Sequence, residues 1–441
     1  MGCFYKPFVP GPPSPVMATV TQHREGTASF AGLTHAREIE LAHSHAVPFG
    51  VISMATHGAC VMWENGMVRI CSPQLGMSPE ATLGGEVYDR EVLTGLAQLH
   101  VQIEVILPAG LACPEVAGLK VTRISLRRGY RWFVSNLVFP WYIRQAYNRQ
   151  PFDLLRVHSL RFTGPAALMS RRLFRLPVPV VAHHHHLDLD RWSGLIERGV
   201  AQHCDRIITG SQFAKQQLAS ELDVPPQKVE VVHYGVSRAY RPLAKDQALA
   251  EHLGVLGKRV LLYLGSLEER KNLPVLLRAL RLVRRGHKDV VLLLVGRGKS
   301  EAGLRRLVDH LELTDCLQFV GYVPEGEKIA WYNLADVFVF PSKLEGFGLA
   351  PAEAMSCGKP VVASCAGALP EVVADGVTGI LCDSNNPGDF ASAIGRLLDE
   401  PALAREMGEA GRERVEKTFR WERSVSRTLE IYREVVQRWQ A

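Results

Sequence analysis

The sequence predicts an α/β protein made of two doubly wound, Rossmann-like parallel sheets facing a cleft, with a C-terminal helix crossing back. Three observations carry that expectation. From residue 67 onward, short apolar runs alternate with amphipathic stretches, the pattern of βαβ units. The alternation breaks after Val232 and restarts near residue 259, so two sheets are expected rather than one. A length of 441 residues is also more than one ordinary core uses.

Residues 1–66 lack periodicity and contain Pro10-Gly11-Pro12-Pro13-Ser14-Pro15, so a poorly structured extension is expected. Met1-Gly2-Cys3 is a weak acylation signal, because Lys6 stands where Ser or Thr is wanted. No basic-then-apolar leader is evident. Met67 precedes the first good strand, and the folded part is expected to start there. In 67–236, strands are expected at 68–72, 101–107, 119–124, 153–157, 179–182, 206–209 and 229–232, with helices such as 86–100 and 213–221 between them. The polar, irregular stretch 237–258 is expected as a linker. Strands at 260–264, 290–295, 317–320, 337–340, 360–363 and 379–382 form the second unit, 259–419, and 420–441 is the closing helix. Ligands of such sheets bind outside the carboxyl ends of the strands.

Composition is that of a soluble globular protein, 47% apolar and 22% charged. A net charge of +6 permits an anionic ligand or membrane surface without specifying either. Nine cysteines with no Cys-x-x-Cys pair suggest reduced thiols in a cytoplasmic protein, not a disulfide framework or zinc site. No apolar run reaches the ~20 residues of a spanning helix.

The most informative chemistry is the pair Glu345 and Glu353, with seven residues between them. Glu345 belongs on a strand-to-helix loop and Glu353 on the helix. Gly346 and Gly348 let backbone N–H groups approach a ligand, and a helix N-terminus favours an anion. Two acids do not grip phosphate, but each can accept two hydroxyl hydrogens. That combination suits a nucleotide sugar. Gly265 to Asn272 also follows a strand, and its Arg270 and Lys271 suit a diphosphate. A solvated helix start is the plain alternative for that pair. Val295-Gly296 repeats the strand-then-glycine pattern.

Taken together, these residues resemble the retaining glycosyltransferases of the GT-B fold, family 4. The resemblance rests on Gly265–Asn272, Val295-Gly296, Phe319-Val320-Gly321-Tyr322, the Glu345–Glu353 motif and Leu369-Pro370-Glu371-Val372. Gly84-Gly85 is similar to the family's acceptor loop, and His233-Tyr234-Gly235 to its inter-domain edge. The resemblance spans about 67–440. It implies that Glu353 binds ribose hydroxyls, and that Glu345 with the backbone of Gly346, Phe347 and Gly348 holds donor sugar and phosphates. Gly265, Gly296 and Gly321 line the donor site. Arg270 and Lys271 stabilise the departing diphosphate. Ser266 stands where the family often has Arg, and Arg270 is the expected substitute. No cofactor or metal is implied for the chemistry.

His183 to His186 follow a strand end. Consecutive side chains on extended backbone alternate in direction, so at most two converge, and a metal site is not expected. Alignment with the family on Pro179-Val180-Val181-Ala182 places its catalytic histidine at His185, with His184 the nearest rival. Asp188-Leu189-Asp190 is expected as a helix start. Between residues 120 and 175 basic residues far outnumber acidic ones, with aromatics interspersed. A solvated basic face competes there with a membrane surface receiving a lipid-linked acceptor. Nucleic acid is not expected, because no recognition module accompanies the charge.

The expected activity is transfer of a sugar from a nucleoside-diphosphate donor to a hydroxyl of a glycan, lipid-linked or small-molecule acceptor. Rivals are an epimerase or phosphorylase of the same plan, an NAD-dependent oxidoreductase, and a catalytically silent sugar-binding protein. Gly84-Gly85 does not fit the Gly-x-Gly-x-x-Gly an oxidoreductase would need.

Overall fold

The computed structural model describes residues 68–78, 84–125, 131–185 and 191–441, with side chains from residues 134 and 194 onward in the helices that open at 131 and 191. The expected extension (1–66), His186 and the Asp188–Asp190 helix start lie outside the described residues.

The first sheet is built from β1 (Arg69–Pro73), β2 (Gln102–Pro108), β3 (Leu119–Ile124), β4 (Leu154–Val157), β5 (Val180–His184), β6 (Arg206–Thr209) and β7 (Val229–Val231). The strands are parallel, in the order β3-β2-β1-β4-β5-β6-β7. The helices are α1 (Gly84–Gln98), α2 (Arg131–Arg149), α3 (Gly164–Leu173), α4 (Arg191–His203) and α5 (Gln212–Leu222). Helices α2 to α5 cover one face of the sheet through a core that includes Phe139, Ile143, Ala167, Val200 and Leu218. Helix α1 packs its Val92, Leu93 and Leu96 into the other core.

A short helix, α6 (Gln247–His252), occupies part of the stretch expected to be irregular, capped by the Asp246 side chain on Leu249 N. The second sheet holds β8 (Arg259–Leu264), β9 (Val290–Val295), β10 (Leu317–Gly321), β11 (Val337–Phe340), β12 (Val361–Ser364) and β13 (Gly379–Cys382). Its order is β10-β9-β8-β11-β12-β13, again parallel. Its helices are α7 (Leu273–Val283), α8 (Glu301–His310), α9 (Lys328–Leu334), α10 (Leu349–Ser356), α11 (Leu369–Val372), α12 (Pro387–Asp399) and α13 (Pro401–Thr418). β9, β11 and β12 are buried along their whole length, because helices cover both faces of a parallel sheet.

The last helix, α14 (Trp421–Gln440), returns to the first sheet. It is strongly amphipathic, and Val425, Leu429 and Tyr432 are buried. Val425 lies where a side chain at Gly95 of α1 would have to go, so the two helices approach closely. The crossing is fixed where Arg420 donates to the carbonyls of Val236 and Ser237 at 3.1 and 3.2 Å.

Strand order reverses between β1 and β4 in one sheet and between β8 and β11 in the other. Such reversals open crevices at the carboxyl ends of the strands. Gly84-Gly85 and His158 follow β1 and β4, while Gly265–Lys271 and Glu345 follow β8 and β11. The topology therefore brings the sequence motifs to two switch points.

Candidate functional site

In the second sheet, Gly265 leaves β8 and Gly296 leaves β9. Gly296 has φ 135°, and any side chain there would strike the Gly265 carbonyl, so backbone lines this edge. Gly321 closes it, its carbonyl accepting from Gly296 N at 2.7 Å. A one-turn 3₁₀ helix, Glu269–Lys271, then delivers the two cations. Both converge on Glu345, whose Oε1 accepts from Lys271 Nζ at 2.5 Å, Ser342 Oγ at 2.6 Å and Arg270 Nη1 at 3.3 Å. Lys271 is buried and sits 4.9 Å from the centre of the Phe340 ring. Burial lowers its ammonium pKa, and Glu345 restores it only in part. Arg270 is the more exposed cation and also donates to Leu344 O at 3.2 Å.

After Glu345 the loop turns through Gly346, Phe347 and Gly348 into α10. Gly348 caps the helix with φ 105°, a conformation that favours glycine. The Phe347 side chain is buried, stacked on Tyr234 with centroids 5.2 Å apart, and only its backbone is left for a ligand. Glu353 is buried one turn into α10, where its Oε2 accepts from Tyr332 Oη at 2.6 Å. Burial pushes the Glu353 carboxyl up to about 7; Lys328 opposes the shift and Glu325 adds to it. Among the described residues no hydrogen bond joins Glu353 to Glu345, so the two acids occupy separate parts of the site.

The first sheet contributes the other wall. Gly84 opens α1, and a side chain there would lie 3.8 Å from Leu349 Cδ1, at the start of α10. A side chain at Gly85 would lie 3.2 Å from His185 Cβ and 3.6 Å from His158 Cε1. Gly84 and Gly85 thus abut two histidines and the start of α10. His185 Nδ1 pairs with Tyr234 Oη at 2.5 Å, and its Nε2 lies 3.8 Å from Asp89 Oδ1. Tyr234 links His185 to the loop before α10 through its stack on Phe347. His183 shares His185's face, its Nε2 2.7 Å from Tyr432 Oη on α14. His184 is buried, and burial together with Arg161 brings its pKa down to about 4.

Behind these histidines lies a buried charge network. Asp89 and Arg156 are fully buried and paired, and His158 Nδ1 contacts the second carboxylate oxygen of Asp89. Arg156 also donates to Tyr432 Oη at 3.1 Å. Burial alone would raise the Asp89 carboxyl, but Arg156 and His158 outweigh it and hold the group well below the usual range. Asp89, His158 and His185 offer ligand atoms within 4.8 Å of one another. The Arg156 guanidinium already neutralises the carboxylate, an arrangement better suited to ion pairing than to a divalent cation.

A third junction joins the two halves. The Glu371 carboxylate accepts from Gln212 N and Phe213 N, both at 2.8 Å, at the N-terminus of α5, with His233 Nε2 3.4 Å away. Burial would raise this acid, but His233 and the two N–H groups bring it below the usual carboxylate range.

Comparison with known proteins agrees with this geometry. The Glycosyltransferase Family 4 model matches residues 83–240, and the glycosyl transferases group 1 model matches 245–414. The D-inositol 3-phosphate glycosyltransferase of Pseudarthrobacter chlorophenolicus is 30% identical over 387 residues, covering 80% of this chain and 91% of its own. This chain belongs to glycosyltransferase family 4. Among solved structures, sucrose-phosphate synthase from Thermosynechococcus elongatus superposes with a TM-score of 0.72 at 23% identity, over 84% of this chain and 99% of that one. HepE of Anabaena, in complex with UDP and glucose, superposes with a TM-score of 0.70 at 18% identity, over 83% of this chain and all of HepE. These likenesses establish the GT-B fold.

Sequence reading of the transferase did not find Asp89, Arg156 or His158. A signal existed: Asp89 stands in the second turn of the helix opened by Gly84-Gly85, and His158 directly follows a strand. Their meeting depends on strand order, which the sequence does not display. Tyr432 was hidden for a similar reason, since it reaches His183 from 249 residues away. Among the described residues no helix is long and apolar enough to cross a membrane.

Proposed function

We propose that this glycosyltransferase moves a sugar, with retention, from a nucleoside-diphosphate donor bound at the second sheet to an acceptor hydroxyl bound at the first. The observation that supports this reading best is the convergence of Lys271, Arg270 and Ser342 on Glu345 beside the glycine-lined edge. Without donor, Glu345 balances the two cations. One carboxylate against two cations leaves a net positive charge that a diphosphate neutralises, and both cations then stabilise the phosphate as the glycosidic bond breaks. The freed phosphate oxygen assists the incoming hydroxyl on the same face of the sugar, which retains configuration. Glu353 accepts the ribose hydroxyls, and the backbone of Gly346, Phe347 and Gly348 positions the phosphates. His185, held by Tyr234, hydrogen-bonds at the donor sugar, and Gly84 and Gly85 form the acceptor loop beside it. These roles require no metal.

HepE binds UDP, so UDP-sugars are the first donors to test, with GDP and ADP sugars beside them. The acceptor is a glycan, a lipid-linked sugar or a small molecule, and peripheral contact with the cytoplasmic membrane face through residues 120–175 would present a lipid-linked one. Calorimetric titration with each donor, with and without EDTA, tests the reading. Binding to one base, insensitive to EDTA and weakened in Glu353→Gln, supports it. Absence of binding to all three refutes it.

A further inference from the structure

Among the described residues, half of the exposed large apolar side chains lie on three consecutive helices, α2, α3 and α4. Leu137 and Trp141 stand one turn apart on α2, Leu173 ends α3, and Leu195 and Ile196 lie on α4. Each is between 47% and 71% exposed. All three helices belong to the layer that covers one face of the first sheet, so their outer sides form one exposed layer. The apolar side chains are tied to cations: Trp141 meets the Phe174 ring edge-on at 6.5 Å, and the Arg144 guanidinium lies 6.0 Å from that ring.

Charge is concentrated in the same segment. Residues 120–175 hold twelve Lys and Arg and one acid, Asp153. Their net +11 exceeds the +6 of the whole chain, so the remainder is net acidic. Asp153 does not offset the exposed arginines, because its carboxylate accepts from Arg69 N at 2.8 Å at the base of the sheet. Several arginines are used internally: Arg149 pairs with Glu104, Arg156 with Asp89, Arg161 with Glu197 and Arg171 with Asp205. Arg172 and Arg175 are exposed and have no acidic partner among the described residues.

We infer that the outer face of α2, α3 and α4 docks on an anionic lipid bilayer. Exposed Trp, Leu and Ile together with exposed Arg is the composition of an interfacial surface: apolar side chains enter the headgroup boundary, and cations hold the anionic lipids. Helices α2 and α4 start from the carboxyl ends of β3 and β5, the edge that also carries Gly84, Gly85 and His158. Docking therefore sets the rim of the acceptor side at the membrane, where a lipid-linked hydroxyl is presented. That last step rests on the transferase reading above, whereas the docking does not.

The test is flotation of the full-length chain with vesicles of phosphatidylcholine alone and with roughly 30% phosphatidylglycerol. The protein should float with the anionic vesicles only, and high salt should release it. Leu137→Ser with Trp141→Ala, and separately Arg172→Glu with Arg175→Glu, should each weaken binding roughly tenfold or more. Circular dichroism and donor calorimetry of the variants should match the parent, since these side chains are exposed and belong to the first sheet's helical layer, whereas Glu345 follows β11 of the second sheet. Equal binding to both vesicle types, or unchanged binding in both variants, overturns the inference. So does a failure to float combined with a concentration-dependent dimer in sedimentation, which would assign the face to a second copy. Failure of donor binding in the same preparation would count against the transferase reading alone.

Discussion

Replacing Glu353 by Gln should make the protein more stable at alkaline pH while impairing it as an enzyme. The Glu353 carboxyl moves from 4.5 to about 7, chiefly through burial. At about 1.4 kcal/mol per unit, that difference corresponds to about 3 kcal/mol. The sign follows from which state holds the proton. Between 4.5 and about 7 the folded protein keeps a proton that the unfolded chain releases. The acid's stabilisation is thus complete below that window and lost as pH rises through it. Gln has nearly the same shape, carries no charge, and its carbonyl still accepts from the Tyr332 hydroxyl. Thermal unfolding of parent and variant should therefore coincide near about pH 5, and the variant should melt several degrees higher near about pH 8. Donor binding should show the opposite trend. Ribose hydroxyls donate to the carboxylate, so donor affinity of the parent should rise across the same window and proton release should accompany binding. The variant should bind roughly ten- to a hundredfold more weakly and lose that pH dependence. Parallel pH courses for the two proteins, in melting and in calorimetry, would refute the assignment of a strained buried acid to the nucleoside site.

Lys271→Ala should reduce kcat by roughly a hundred- to a thousandfold with a small change in KM, because the cation acts on charge that develops during bond cleavage; a kcat within about threefold of the parent by steady-state transfer would contradict the role. Asp89→Ala strands the fully buried Arg156 guanidinium and should cost about 3–5 kcal/mol in denaturant unfolding, whereas an exposed pair such as Lys417–Glu413 should contribute little. Glu371→Gln keeps the shape of the junction but removes the charge that caps α5; kcat/KM should fall roughly five- to tenfold with Tm nearly unchanged, and the parent should show the same loss when acid protonates Glu371.

Much of this molecule is encoded locally. The run 337–340 is apolar and β-branched or aromatic throughout, and the strand Val337–Phe340 is buried on both faces. Glycines after 264 and 295 mark the ends of β8 and β9, where a side chain at Gly296 would strike the Gly265 carbonyl and one at Gly265 would crowd the Tyr263 hydroxyl. The alternation of His183, His184 and His185 between faces follows from the two-residue period of a strand. Glu345, Arg270 and Lys271 were legible because a strand end, a glycine turn and charge stand together in the sequence. Tertiary structure alone decided the rest. Whether two polar side chains share a buried site depends on strand order and helix crossing, which bring together residues such as Arg156 and Tyr432, 276 positions apart. Glu371 became a cap for α5 only because the fold brings together residues 159 positions apart. Hydrophobic period is a property of neighbours and survives in the sequence. Charge compensation in a dry interior is a property of the folded whole, because its partners are chosen by topology rather than by proximity along the chain.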